Sequence, residues 1–331
     1  MLDYQTIKNK QNLLDTFEQE LESLPPIYPL KKLNKYIYIL GQKDPKEKVE
    51  FTFTAIIHGN EPAGLFILLK LIRFLKKFKI PLPFSIGLAL GNYEAFLKNK
   101  RFLETDLNRS FMSSKKDSLE QKRALELSVL LEKTNYLIDF HQTLQPSKYP
   151  FFIFPYTQKG LTLASYLTTK IPIVTHWGKS FSKDGMCTDD FVNLKGGTGI
   201  TLETGHRGTN PLQIAFGFSL LLKLFSSEKL FTEKSLSSLH HNLKDEDLSL
   251  YTWNQVFPWP GSHYVKLKPN LQNFDHIETE ETLGTFSDQE IKSKTSGYLF
   301  FPKYIGRSEQ KPKELFRLAK KISLSDLPIK A

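Results

Sequence analysis

Cysteine is nearly absent: Cys187 is the only one among 331 residues. A disulfide within the chain is therefore excluded, as is a zinc module built from cysteines. A reducing compartment suits that count. Long apolar runs are missing too. The two most apolar stretches, Ala63 to Leu75 and Ile214 to Phe225, are short and interrupted by Lys70, Arg73 or Lys223, so neither is expected to cross a bilayer. The first residues, Met1-Leu2-Asp3-Tyr4-Gln5, lead into mixed charge without the apolar segment of an export signal. The expectation is a cytoplasmic protein with no membrane partner. Tryptophan is scarce at three, but 26 phenylalanines and 13 tyrosines can fill sizeable cores. With 40% hydrophobic and 24% charged residues, the chain reads as folded rather than disordered.

Acidic residues are also in deficit, 35 against 45 lysines and arginines, for a net charge of +10. The excess is clustered. Lys70 to Arg101 holds eight basic residues and the single acid Glu94, and Lys303 to Ala331 holds eight basic and three acidic residues. Such surfaces suit nucleic acid, acidic membrane or an anionic small molecule, and also arise as solvated helix faces. No nucleic-acid motif accompanies the charge, so a nucleic-acid partner is not expected.

Hydrophobic periodicity gives the organisation. Residues 1–25 read as a helix that Pro25-Pro26 ends. Strands are expected at Lys35 to Leu40, Val49 to Ile57, Phe84 to Leu90, Tyr136 to Phe140, Phe151 to Phe154, Pro172 to Thr175 and Gly199 to Glu203. Between them, Leu65, Leu68, Leu69, Ile72 and Leu75 recur at helical spacing after Pro62. Ser118 with Gln121 has the form of a capping box opening a helix to about Thr134. Lys159 to Lys170 suits another helix, and Asn210-Pro211 opens one to about Phe225. This alternation predicts an α/β sheet with helices on both faces. After about Ser226 the pattern changes to short aromatic and β-branched runs at Ser249 to Phe257, Thr282 to Phe286 and Tyr298 to Phe301. Two domains are expected: 1–228, catalytic, and 229–331, smaller and β-rich.

The residues with chemical capacity lie at predicted strand ends and loops, where sites assemble in open α/β sheets. His58 and Glu61, in His58-Gly59-Asn60-Glu61, are spaced to converge on one metal ion, for which imidazole and carboxylate are suitable ligands. His141 ends the strand Leu137-Ile138-Asp139-Phe140-His141, and Asp139, two residues before it, can orient its ring. Each also reads as an ordinary, partly buried polar group. Glu203 ends another apolar strand and suits a general base, or a salt-bridged strand-end acid. In the segment from Arg101 to Phe111, Asn108 and Arg109 offer an amide and a planar fork for a carboxylate, and Arg101 can stabilise an oxyanion. By composition alone these are equally surface arginines.

Taken in order, His58-Gly59-Asn60-Glu61, Asp106-Leu107-Asn108-Arg109, Asp139-Phe140-His141 and Glu203-Thr204-Gly205 resemble the succinylglutamate desuccinylase/aspartoacylase family, zinc hydrolases on the carboxypeptidase A fold. Gly91-Asn92, Leu271-Gln272-Asn273-Phe274 and Gly297-Tyr298-Leu299-Phe300-Phe301-Pro302 extend the similarity over residues 50 to 305 or so. The resemblance implies His58, Glu61 and His141 as ligands of one zinc ion per chain and Glu203 as general base. It implies Arg101 as the group that polarises the scissile carbonyl, and Asn108 with Arg109 as holders of a substrate α-carboxylate. The implied reaction removes the acyl group of a small anionic N-acyl amino acid. A zinc carboxypeptidase or peptide amidase is the alternative, and a basic nucleic-acid-binding protein a more distant one. The sequence departs from the family where the acyl group would be held. No arginine follows His141 within a few residues, and Asn193 stands where aspartoacylase has an arginine. Lys148, Lys195 and Arg207 are the possible substitutes. His206 reads as a surface group, and Tyr298 and Tyr304 as core residues rather than parts of a lid.

Overall fold

The computed structural model describes residues 9–42, 44, 46–114, 117–178, 185–226, 242–261, 264–287, 289–304 and 312–328. Its spine is a twelve-stranded mixed sheet. β1 (Leu30–Asn34) and β2 (Ile37–Leu40) form an antiparallel hairpin at one edge. Then come β4 (Ile86–Leu90), β3 (Val49–Ala55), β5 (Thr134–Thr143) and β8 (Thr198–His206) in that order. From β4 to β8 the strands are parallel. β6 (Phe151–Pro155) pairs antiparallel with β8 and parallel with β7 (Ile173–His176).

Helices cover both faces, as the alternation requires. α1 (Lys10–Glu22) is where a helix is expected, although residues 1–8 of that expectation lie outside the described residues. α2 (Ala63–Phe78) buries the stripe Leu65, Leu68, Leu69, Ile72 and Leu75. It also buries Ile67 and Leu71, because α7 (Pro211–Phe225) lies across it. Gly217 of α7 permits the close approach; a Cβ there would stand 2.3 Å from Ile67 Cδ1. α3 (Tyr93–Leu97) and α6 (Thr188–Leu194) are short helices that the periodicity does not reveal. α4 (Leu119–Leu131) opens with the expected Ser118–Gln121 capping box, and α5 (Gln158–Leu167) begins one residue before its expected start. No described helix is long and apolar enough to cross a membrane.

A smaller β-rich part follows, as expected. The sheet does not stop there. β9 (Leu250–Pro258) pairs with β7 and continues it through β15 (Glu314–Ile322), β14 (Gly297–Phe300) and β11 (His276–Ile277). β10 (Val265–Leu267), β12 (Thr282–Phe286) and β13 (Gln289–Lys292) form a separate three-stranded sheet. The expected boundary at 228/229 lies outside the described residues. Tyr298 packs edge-on against Tyr251, and the Tyr304 hydroxyl donates to Lys268 O and accepts from Leu271 N. Tyr298 is half-buried in this aromatic packing, near its expected core role, whereas Tyr304 is exposed and holds its loop through the hydroxyl rather than by core packing.

The seat of α2 on the sheet generates a prediction. A Cβ at Gly64 would stand 2.8 Å from the Cβ atoms of both Ala55 and Phe140. Overpacking of this kind costs about 1–3 kcal/mol. Gly64→Val should lower Tm by several degrees in thermal denaturation; an unchanged Tm would mean that α2 does not sit against β3 and β5 as described.

Candidate active site and metal centre

β3 ends at Ala55, and Ile56 then adopts φ +50°, a left-handed conformation costly for a β-branched residue. The chain turns, Gly59 N donates to Arg101 O at 3.0 Å, and Glu61 N donates back to His58 O at 3.1 Å. Residue 59 can only be glycine here, since a Cβ would lie 2.3 Å from Phe96 N. The result is a tight turn that presents His58 and Glu61 together at the end of β3. His141 reaches the same place from β5. Asp139 and His141 share one face because strand side chains alternate. In the parallel register His141 lies beside Glu203 of β8, and Asp139 beside Thr201.

The three expected ligands converge. His58 Nδ1 lies 2.9 Å from Glu61 Oε1, His141 Nδ1 lies 2.9 Å from Glu61 Oε2, and the two Nδ1 atoms are 3.0 Å apart. All three residues are buried. Each imidazole turns its other nitrogen to a carboxylate: His141 Nε2 to Asp139 Oδ2 at 2.9 Å, His58 Nε2 to Asp106 Oδ1 at 3.1 Å. Both Nε2 atoms are thus held as donors, which leaves both Nδ1 lone pairs aimed at one point beside a carboxylate. Two lone pairs cannot satisfy each other at 3.0 Å, whereas a cation satisfies both. Bonded to a divalent ion at 2.0–2.1 Å, tetrahedral ligand atoms stand about 3.3 Å apart, only a few tenths of an ångström from what is observed. This donor set could hold a metal ion. The supporting carboxylates are themselves fixed. Asp139 accepts from Thr54 Oγ1 at 2.7 Å and from the Thr188 hydroxyl, and Asp106 Oδ1 accepts from Asn108 N at 2.9 Å.

The electrostatics agree with a cation-seeking centre. Burial opposes the ionisation of Glu61, but His58 and His141 outweigh it and hold the carboxyl well below its usual range. Asp106 behaves alike, with burial opposed by the Arg101 and His58 charges. Burial disfavours charge on His141, yet Asp139 and Glu61 raise it well above the ordinary histidine value; the ring favours a proton on Nδ1 facing Glu61, and a metal ion would bind there by displacing that proton. Glu203 differs. Burial dominates there and pushes its carboxyl up to about 7, and its Oε2 has no hydrogen-bond partner among the described residues. A carboxylate so placed can take a proton from a neighbour and return it near neutral pH.

The Arg101–Arg109 segment is brought to the same place. The Arg101 guanidinium donates to Glu61 Oε1 at 3.2 Å and to Asp106 Oδ2 at 3.2 Å. The Asn108 side-chain oxygen accepts from Thr188 N at 3.0 Å, at the start of α6. Arg109 donates to Asn108 O and to Cys187 Sγ, the latter at 3.0 Å. Cys187, Asp189 and Asp190 form a second cluster of metal-ligating type, but this guanidinium already faces it. Two residues that hold the site have no assigned role in the sequence reading. Asp106, inside the quoted motif, orients both His58 and Arg101. Glu120, buried in the first turn of α4, accepts from Leu103 N at 2.6 Å, Glu104 N at 3.2 Å and Thr105 N at 3.1 Å, which pins the loop after Arg101. Asp106 could be found by its place in the motif; no spacing signal marks Glu120. Of the possible acyl-side cations, Lys148 pairs with Asp275 at 2.9 Å and Lys195 with Glu132 at 2.8 Å, while Arg207 is exposed. His206 is exposed at the end of β8, in line with its surface reading.

If Asp139 sets the His141 tautomer, its loss should weaken metal binding without abolishing it. Asp139→Ala is expected to lower affinity about 10–100-fold in chelator competition. Unchanged affinity would remove Asp139 from that role.

The chain is similar to known proteins in sequence and in fold. The model of the succinylglutamate desuccinylase/aspartoacylase catalytic domain matches residues 50–215. A protein described as a probable aspartoacylase, from Acaryochloris marina, is 31% identical over 258 residues, covering 71% of this chain and 83% of that one. A succinylglutamate desuccinylase from Yersinia pestis is 32% identical over 127 residues, a match that spans 38% of its length. Among solved structures, succinylglutamate desuccinylase from Vibrio parahaemolyticus superposes with a TM-score of 0.70 at 18% identity, covering 93% of this chain and 95% of that one. Murine aminoacylase 3 gives 0.62 at 18% identity, covering 84% and 97%. Both share the fold over most of the chain. Family model, aspartoacylase-like relative and fold coincide, and the chain belongs to the succinylglutamate desuccinylase/aspartoacylase family.

Proposed function

We propose that the chain is a cytoplasmic, zinc-dependent amidohydrolase that removes the acyl group from an N-acyl amino acid. The observation that carries this reading is the juxtaposition of three convergent ligand atoms with a buried carboxylate that has an unpartnered oxygen. His58, Glu61 and His141 would hold the metal. Two nitrogens and one oxygen favour zinc over magnesium or calcium, which prefer oxygen ligands throughout. The lone, buried Cys187 is compatible with a reducing compartment. The relatives' names, desuccinylase, aspartoacylase and aminoacylase, support deacylation of amino acids as the reaction class.

When bound, the zinc ion supplies Lewis acidity that brings the pKa of a coordinated water to about 7. The remaining steps belong to the chain's own side chains. Glu203 takes a proton from the attacking water at Oε2, the oxygen without a hydrogen-bond partner among the described residues. Water oxygen adds to the amide carbon, and Arg101 meets the negative charge that develops on the former carbonyl oxygen. The carbon–nitrogen bond breaks as Glu203 passes its proton to the leaving nitrogen. The products are a carboxylate and an amino acid. Asn108 and Arg109 orient the substrate through its α-carboxylate. Asp106 and Asp139 keep both imidazoles in one tautomer throughout.

Glu203→Gln should retain about one zinc per chain by metal analysis and lose roughly 10²–10⁴ in kcat, the usual range for a general base. Near-normal turnover would take Glu203 out of the mechanism, and a protein that binds no zinc after reconstitution would sink it altogether. Arg109→Ala should cost about 1.5–3 kcal/mol, roughly ten- to 150-fold in kcat/KM, on substrates with a free α-carboxylate. An equal loss on α-esters would argue against that contact. A panel of N-succinyl, N-acetyl and N-formyl amino acids and short peptides tests the reaction class itself. Cleavage of peptides alone would favour a peptidase.

A further inference from the structure

The C-terminal β-rich part brings one cation to the flank of Glu203. β14 ends at Phe300, and the chain continues through Phe301 and Pro302 to Lys303. Phe151 of β6 is the cross-strand partner of Glu203 on β8, so the two side chains share a face of the sheet. The Phe151 ring packs against that of Phe301 at 6.1 Å, and the Lys303 ammonium lies 5.5 Å from the centre of the Phe301 ring. The backbone is anchored on both sides: Phe301 N donates to Asn273 Oδ1 at 2.7 Å, and Lys303 N to Leu315 O at 3.0 Å.

This ammonium is half-buried and, among the described residues, makes no ion pair or side-chain hydrogen bond. Glu314 is engaged by Arg317 at 2.7 Å. Burial, with Arg101 and Arg109 as neighbouring cations, pushes Lys303 down to about 8 against the opposing pull of Glu314 and Glu203. A partly desolvated cation near two guanidinium groups is stabilised by an anion that is not part of the fold. Across the strand order β3, β5, β8, β6, the Asp106–Arg109 segment joins the site at His58, and Lys303 joins it beyond Glu203 at Phe151. Cations that reach one centre from two different elements, near enough to influence each other, suit a substrate that carries two carboxylates.

We propose that Lys303 receives a second carboxylate, at the end of the substrate's acyl group, and so selects dicarboxylic acyl amino acids over acetyl ones. This rests on the amidohydrolase reading above, with Asn108 and Arg109 at the α-carboxylate. It assigns a residue to the acyl-side role for which Lys148 and Lys195 are unsuited, each being paired elsewhere.

The test compares the zinc-loaded full chain with its Lys303→Met and Lys303→Arg variants on the N-succinyl and N-acetyl derivatives of one amino acid. Lys303→Met should raise KM tenfold or more on the succinyl derivative, change the acetyl derivative less than twofold, and leave kcat nearly constant on both. Lys303→Arg should recover most of the loss. Equal losses on the two derivatives, or none, would overturn the proposal. Calorimetric titration with succinate and with acetate gives a readout independent of turnover. The wild type should bind succinate at least tenfold more tightly than Lys303→Met does, with acetate unchanged; succinate bound equally by both, or by neither, would also overturn it. Should no derivative be hydrolysed, the deacylase reading falls while the titration still decides the role of Lys303. Lys303→Gln, of similar length, replaces the methionine variant if that one does not fold.

Discussion

His141 and Glu203 stand side by side because β5 and β8 pair in parallel in one particular register. That pairing is the constraint on which the site depends. It places the proposed ligand and the proposed base on adjacent strands of one face, and it aligns Asp139 and Thr201 two residues earlier. A slip of one residue would turn His141 and Asp139 to the opposite face together. The register is protected by what lies behind it. Leu137, Ile138, Phe140, Ile200 and Leu202 are buried on the two sides of the sheet, so a slip would also exchange core residues for polar ones. The packing that stabilises the fold therefore also fixes the spacing of the chemistry.

Much of this was legible in the sequence because His58, His141 and Glu203 each close a short apolar run. The runs reveal the strands but not their ends: β3 stops at Ala55, whereas β5 continues to Thr143 and β8 to His206. The capping box at Ser118 and the stripe of α2 were legible for a similar reason: local pattern and final burial agree. Other features resist because their cause is not local. Glu120 looks like an ordinary acid in a helix's first turn until the loop after Arg101 folds over it. Cys187 reads as an isolated thiol until Arg109 is brought beside it. β15 hides within a basic run. It buries Leu315 to Ala319 almost without interruption and keeps Arg317 inside by stacking it 5.2 Å over Trp253 and pairing it with Glu314. Its alternation is further broken by a register shift between Leu318 and Ala319.

The excess of positive charge separates into two uses. On α2, Arg73 and Lys76 bind Glu20 of α1 at 2.9 and 3.0 Å, while Lys70 and Lys77 lie over Phe218 and Phe78. These lysines tie helices together or cover aromatic rings with their aliphatic stems. Arg101 and Arg109 are of another kind, held among buried acids and backbone carbonyls with fixed geometry. A net charge alone does not distinguish the two; depth and partner do.

Asn273 is fully buried between the halves of the chain. Its N–H donates to Pro146 O, its carbonyl accepts from Lys148 N, and its side-chain oxygen accepts from Phe301 N. Pro146 and Lys148 belong to the loop that leaves the strand of His141, and Phe301 begins the segment that carries Lys303. One residue therefore stitches the loop after β5 to the segment that follows β14. Such a join ties the inheritance of the two halves together: neither can be exchanged for a foreign module, or drift in length at this seam, without disturbing the other.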